Sequence, residues 1–346
     1  MRLEGVHQRS IGRTADGKGA RILDQRLLPW EVRWVELRTA EEAARAIREM
    51  WTRGAPLIGA TAAYGLAMAL AGDPGALDGA RAMLLATRPT AVNLRWALDQ
   101  VADAVRALPP AERAEVAFAR ADAICDEDVA LNRAIGEHGL ALLRALHARN
   151  PHRPLNILTH CNAGWLATVD YGTATAPIYL AYDAGIPLHI WVDETRPRNQ
   201  GALLTAFELA GHGVPHSLVA DNAGGLLMAR GQVDLVIVGT DRVTANGDVC
   251  NKIGTYLKAL AAHDCGVPFY VALPYTTIDR TMASGALVPI EERDPDELRL
   301  LTGPDAAGAI RTVSVTASPA YNPAFDVTPA RLVTGYITEE GVTATL

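Results

Sequence analysis

The chain has 346 residues, is 49% hydrophobic and carries a formal net charge of −7 at pH 7. That length and apolar content suffice for two ordinary domains with real cores. The acidic balance excludes a general nucleic-acid binder, whose mark is a basic stripe, but leaves room for a local basic pocket.

Four cysteines occur, at 125, 161, 250 and 265, with no CxxC pair and no Cys/His cluster at zinc spacing. The start, MRLEGVHQRS, is polar and charged, unlike a secretory signal. No apolar run reads as long enough to cross a bilayer. A cytoplasmic protein with reduced thiols is expected, with no membrane or nucleic-acid partner.

Residues 1–40 read as a small β-rich start, with Trp30, Val32, Trp34 and Glu36 alternating with polar or charged neighbours. From about 41 to 150 the chain is rich in Ala, Leu, Arg and Glu, with apolar residues at helical spacing. The stretch 128–149 is the clearest: Val129, Ile135, Leu140, Leu143 and Leu146 share roughly one face. Pro109-Pro110 and residues 72–75 (GDPG) read as turns. Residues 150–154 (NPHRP) read as a linker.

Beyond it, short apolar runs alternate with helical segments. The runs are LNILT (155–159), LHIWV (188–192), HSLVA (216–220), DLVIVG (234–239) and PFYVAL (268–273), with RLVTGYIT (331–338) as a last strand. Runs apolar on both faces, separated by helices, predict a parallel sheet covered on both sides. The expected fold class is α/β: a mainly helical N-terminal domain with a short β start over 1–150, then a Rossmann-like doubly wound domain over 151–346.

Several of these strands end in polar side chains: His160-Cys161-Asn162, Asp193-Glu194, Asp221-Asn222 and Asp241-Arg242. One such carboxylate is an ordinary helix cap. The array is another matter, because ligands of open parallel sheets sit at the carboxyl ends of the strands. A free cysteine is ordinarily a small buried hydrophobe. Cys161, however, stands before an expected helix start, where a thiolate is favoured. Cys125, Cys250 and Cys265 read as structural. Asp241 ends the apolar run VIVGTD, and an enclosed carboxyl with a raised pKa suits acid/base work. Cys161 and Asp241 are therefore a candidate catalytic pair.

Arg53-Gly54-Ala55-Pro56 precedes an apolar helical run, and a helix start plus one Arg can hold phosphate. Asn251-Lys252, read as opening a helix, is a second such constellation. Neither matches a nucleotide-binding glycine pattern, so no nucleotide cofactor is expected.

Eight ordered segments, from about residue 50 to the C-terminus, resemble the methylthioribose-1-phosphate isomerase family. They are RGAPLIG (53–59), RPTAVNL (88–94), THCNAG (159–164), ETRPRNQGA (194–202), GTDRVTANGD (239–248), NKIGTY (251–256), PIEERDP (289–295) and NPAFDVTP (322–329). The resemblance implies a ring-opening aldose–ketose isomerisation of 5-methylthioribose 1-phosphate, a step of methionine salvage. It implies no metal, no organic cofactor and a homodimer. Position by position, Cys161 and Asp241 match the family's catalytic pair. Arg53, Gly54, Ala55, Arg88, Gln200, Asn251 and Lys252 match its substrate-binding positions.

Two places depart from the commoner pattern: Trp165 follows CNAG where a small residue is expected, and residues 221–225 read DNAGG. If these line the pocket, they alter what is accepted at C5, and 5-deoxyribose 1-phosphate becomes the rival substrate. Ribose-1,5-bisphosphate isomerases would need a second phosphate site. Regulatory subunits of a eukaryotic translation-initiation exchange factor resemble the same fold without being enzymes, so fold alone does not decide activity.

Overall fold

The computed structural model describes residues 2–3, 5–88 and 91–346. Pro89 and Thr90 of the segment 88–94 lie outside the described residues.

The β-rich start consists of a short ladder, β1 (Arg2–Leu3) with β2 (Val6–His7), and an antiparallel sheet of β3 (Ile11–Arg13), β4 (Ala20–Asp24) and β5 (Arg33–Leu37). Trp30 and Val32 fall before β5. Pro29 has no N–H to give a ladder, and the N–H groups of Trp30 and Glu31 turn back onto the Leu27 carbonyl.

Five helices follow: α1 (Ala40–Arg48), α2 (Ala55–Gly72), α3 (Leu77–Leu85), α4 (Val92–Val105) and α5 (Pro110–His147). Pro109-Pro110 is not a turn but the start of α5, because proline at the first helical position forfeits no hydrogen bond. At 38 residues α5 is about 57 Å long. Its first half buries Phe118, Ala121 and Ile124 in the helical core. Its second half buries Ile135 and Leu143 against the sheet that follows.

Helix α2 corrects one expectation. It is 18 residues long, carries no charge, and by length and composition alone would cross a bilayer. Here it is the axis of the helical core, with α1, α3, α4 and α5 packed around it. A helix apolar on all sides belongs in a core or a membrane, and its neighbours decide which.

The second half contains β6 (Leu155–Thr159), α6 (Ala176–Asp183), β7 (Leu188–Asp193), α7 (Ala206–His212), β8 (His216–Val219), α8 (Ala223–Ala229) and β9 (Leu235–Val238). The hairpin β10 (Arg242–Thr244) and β11 (Val249–Lys252) leads to α9 (Thr255–Asp264), β12 (Phe269–Ala272) and β13 (Ile278–Asp279). A short α10 (Asp296–Arg299) precedes an exposed hairpin, β14 (Leu300–Pro304) and β15 (Ile310–Ser314), which the sequence reading did not anticipate. The chain closes with β16 (Phe325–Thr328), β17 (Gly335–Thr338) and β18 (Gly341–Thr343).

Seven strands form one sheet in the order β18-β17-β12-β9-β6-β7-β8, parallel except for the antiparallel edge β18. Strand residues alternate between two cores: Leu235 and Ile237 face the side covered by α5, α6 and α7, while Val236 and Val238 face α8 and α9. From β6 the chain winds outward to β7 and β8, and from β9 outward the other way to β12 and β17. The order reverses between β6 and β9, and a crevice opens there beyond the strand ends. Cys161 follows β6 and Asp241 follows β9.

Candidate active site

One cavity of about 170 Å3 lies at that crevice, and all nine residues anticipated from the sequence line it. Cys161 and Asp241 come from the two adjacent strand ends. Arg53, Gly54 and Ala55 come from the start of α2, and Arg88 from the segment after α3. Gln200 follows β7, and Asn251 and Lys252 end β11. The volume is below the roughly 300–1,000 Å3 of drug-sized pockets, so the site suits a small metabolite rather than a dinucleotide.

Cys161 is not at a helix start. A single 3-10 turn (Trp165–Ala167) follows, and the next α-helix begins at Ala176. The backbone at Cys161 is left-handed, φ 66°, a region non-glycine residues seldom adopt. Two hydroxyls hold it: the Cys161 N–H donates to Thr195 Oγ1 at 2.8 Å, and the Thr205 hydroxyl donates to the Cys161 carbonyl at 2.6 Å. Burial pushes the thiol pKa up; Arg53 and Lys252 pull it down, and Asp241 adds to the rise. The expected lowering by a helix terminus is thus overturned, because there is no helix terminus to supply it.

Asp241 is open to the cavity but enclosed by protein beyond it. That enclosure raises its carboxyl pKa, against the pull of Lys252, Arg53 and Arg88. Its backbone N–H donates to the Cys250 carbonyl at 3.0 Å, which ties it to β11. Cys250, read from the sequence as structural, also lines the cavity.

Lys252 is not at a helix start either. It ends β11, paired with Phe325 of β16, and its ammonium lies 4.8 Å from the centre of that ring. Burial lowers its pKa, while Cys161 and Asp241 raise it. Arg53 donates to both oxygens of Asn162, at 2.6 Å to the side chain and 2.9 Å to the backbone. Gly54 adopts φ 90°, and a Cβ there would lie 2.3 Å from the Ala167 carbonyl oxygen, so only glycine lets the two loops meet. Gln200 lines the cavity, and its buried Oε1 has no hydrogen-bond partner among the described residues.

The cavity's charges sort into two groups. Arg198 pairs with Glu297, Arg242 with Asp279, Arg293 with Glu291 and Glu297, and Arg88 more loosely with Glu291 at 3.7 Å. Among the described residues, Arg53 and Lys252 have no carboxylate partner. Two cations without an ion pair, with the Asp241 carboxyl acting on both from nearby, suit one phosphate dianion in this small cavity.

The sequence reading missed the residues behind the site. Glu208, fully buried, accepts from Asn162 Nδ2 at 2.7 Å, and Asn162 in turn accepts from Arg53. Burial lifts its carboxyl to about 7, opposed by the Leu166 N–H, Asn162 and Arg53. The strand-end array also divides. Asp221 does what the ordinary reading holds, accepting the backbone N–H groups of Thr195 and Arg196. Asp193 is fully buried beneath the cavity. Asp193, Asp221 and His160 bring ligand atoms within 4.8 Å of one another, a metal-like spacing, but Lys258 already places its ammonium 3.0 Å from Asp193 Oδ2. Neither Trp165 nor residues 221–225 line the cavity. Trp165 is fully buried in the core under the sheet, so these departures do not shape the C5 end of a bound sugar there.

Residues 51–345 match the initiation factor 2 subunit family. A methylthioribose-1-phosphate isomerase from Rhodospirillum centenum is 61% identical over 349 residues, covering 99% of this chain and 93% of the relative. The solved 5-methylthioribose 1-phosphate isomerase of Pyrococcus horikoshii OT3 superposes with a TM-score of 0.83 at 41% identity, covering 97% of this chain and 92% of that one. The delta subunit of translation initiation factor eIF-2B from A. fulgidus gives 0.83 at 38% identity, covering 97% and 96%. The chain therefore belongs to the initiation factor 2 subunit family and, within it, to the methylthioribose-1-phosphate isomerases.

Proposed function

We propose that this enzyme converts 5-methylthioribose 1-phosphate to 5-methylthioribulose 1-phosphate, with Cys161 and Asp241 as its acid/base pair. The observation that carries the reading is the pairing of these two groups at the β6/β9 crevice, in one cavity with Arg53 and Lys252, which have no ion-pair partner among the described residues.

The phosphate on O1 blocks free ring opening, so the enzyme must break the bond between C1 and the ring oxygen. Asp241, its pKa raised by enclosure, supplies the proton to the ring oxygen. A hydrogen then moves from C2 to C1. In an enolate route Cys161, ionised with the help of Arg53 and Lys252 against the burial that raises its pKa, takes the C2 proton; the resulting enol is then protonated at C1 as its O2 hydroxyl gives up a proton, leaving the ketone at C2. In a hydride route the hydrogen crosses directly with its electron pair, and the pair of residues manages the hydroxyl proton at O2. Arg53 and Lys252 hold the phosphate, and Gln200, on the cavity lining, hydrogen-bonds a sugar hydroxyl.

Substrate carrying deuterium at C2 separates the routes. Complete retention at C1 rules out a freely exchanging enolate, and wash-out into solvent rules out the hydride shift.

A second substrate, 5-deoxyribose 1-phosphate, has identical reacting atoms and stays in the comparison. Ribose 1,5-bisphosphate is disfavoured because the remaining cavity arginines already have carboxylate partners. A purely regulatory role has no use for the enclosed thiol–carboxyl pair. Turnover of the three sugar phosphates is the test, with Cys161→Ser as control. A preference that vanishes in the control supports the isomerase and names its C5 group; no turnover of any by folded protein overturns it.

A further inference from the structure

Beneath the cavity lies a buried polar network that the reaction as described does not use. His160 Nδ1 and Lys258 Nζ both lie 3.0 Å from Asp193 Oδ2. His160 Nε2 faces the Ile253 carbonyl at 2.8 Å, and Lys258 also donates to the Asp221 carbonyl. His160 is 1% exposed, Asp193 0% and Lys258 4%, so these groups are out of water and held by one another, by the two backbone carbonyls and by the nearby Asp326 carboxylate. The other oxygen of Asp193 has no hydrogen-bond partner among the described residues.

Lysine is rarely buried, and this one has space made for it. A Cβ on Gly224 would lie 3.3 Å from Lys258 Cε and 3.1 Å from Leu158 Cδ1. Glycine there, within the unusual DNAGG stretch, leaves the lysine stem room to reach Asp193.

The network reaches Cys161 by two routes. Through side chains, Asp193 fixes the His160 ring, one residue before Cys161. Through the backbone, the Asp193 carbonyl accepts the Thr195 hydroxyl at 3.0 Å, and Thr195 Oγ1 accepts the Cys161 N–H at 2.8 Å. The end of β7 therefore grips the end of β6 at the His160 ring and at the Cys161 N–H, on the N-terminal side of the left-handed residue.

We propose that Lys258 and Asp193 are positioning residues that hold Cys161 in its left-handed conformation and seat its thiol in the cavity. His160 borders the cavity, whereas Lys258 and Asp193 lie behind the thiol, so losing either of those two misplaces the thiol without removing a phosphate contact. The consequence for turnover rests on the isomerase reading; the seating of the thiol does not.

The test reads both. Cys161 is alkylated with iodoacetamide across pH in wild type, Lys258→Met, Asp193→Asn and the charge-balanced double variant, with the site identified by peptide mass spectrometry. The charged groups facing the thiol are Arg53, Lys252 and Asp241, and all stay in place. Released from its seat, Cys161 should alkylate at least tenfold faster in the single variants; an unchanged or slower rate overturns the proposal. In turnover, kcat should fall tenfold or more with KM within about threefold. The double variant should regain melting temperature but not kcat; kcat returning with stability would make the network merely structural and sink the idea.

Gly224→Ala carries the same test if a charge variant fails to fold, because its Cβ, 3.3 Å from Lys258 Cε, displaces the lysine without removing a charge. A wild type that turns over none of the sugar phosphates, yet whose thiol is released in Lys258→Met, overturns the isomerase reading and leaves the positioning role standing.

Discussion

Cys161 differs from an ordinary buried cysteine in two ways: its backbone is left-handed, and cations from two distant segments converge on its thiol. Deleting one member of an acid/base pair costs roughly a hundredfold or more, so Cys161→Ser and Asp241→Asn should each lower kcat by that scale in folded protein. A loss below tenfold in steady-state assays would remove that residue from the pair. Arg53→Ala should act differently. A charge-assisted contact is worth about 1.5–3 kcal/mol, so KM should rise roughly ten- to hundredfold, with kcat less affected. Unchanged kinetics would take Arg53 out of the site.

Glu208 adds a pH signature. Its carboxyl titrates at about 7 folded against 4.5 ordinarily, so the folded state binds the proton more tightly. The stability from the neutral form is full below pH 4.5 and is lost as pH rises through 7. Glu208→Gln should flatten that part of a melting-temperature profile between pH 4.5 and 8. A slope identical to wild type would contradict it.

At the level of elements, the site depends on how closely the start of α2 meets the turn after β6. Gly54 permits that meeting: its φ of 90° and the 2.3 Å a Cβ would have to the Ala167 oxygen leave no room for a side chain. Gly54→Ala should push the two loops apart, carrying Arg53 away from Asn162. We expect kcat/KM to fall at least tenfold with a lower melting temperature; wild-type kinetics would show that the two loops yield without cost. The hairpin of β10 and β11 has a parallel role, since its register with β16 sets Lys252 against Phe325. Here the sequence misled. Lys252 read as opening a helix, but pairing with β16, some seventy residues on, extends the strand through Lys252. Pairing at that distance leaves no local mark.

For the whole molecule, α5 is the member that joins the helical and sheet cores. Leu23 and Leu28 from the β-rich start also lie in the sheet core. A fragment of residues 151–346 alone should therefore lack a sharp unfolding transition by near-ultraviolet circular dichroism and heating. A cooperative melt would show that the sheet half folds by itself. The homodimer implied by the family is tested by light scattering, where a mass of 36.8 kDa would exclude it.

What the sequence determined by itself was local and periodic. Apolar runs alternating with helices specified the parallel sheet, because strands buried on both faces must be apolar throughout. The polar residues closing those runs marked the sheet edge, and ordered segments identified the nine cavity residues through family resemblance. Only tertiary structure decided the rest. It made α2 a core helix rather than a membrane span, set Cys161 in a left-handed turn rather than at a helix start, and placed Lys258 beside Asp193. Each depends on groups far apart in the chain coming into contact, and burial and charge pairing are properties of that contact, not of any stretch of sequence.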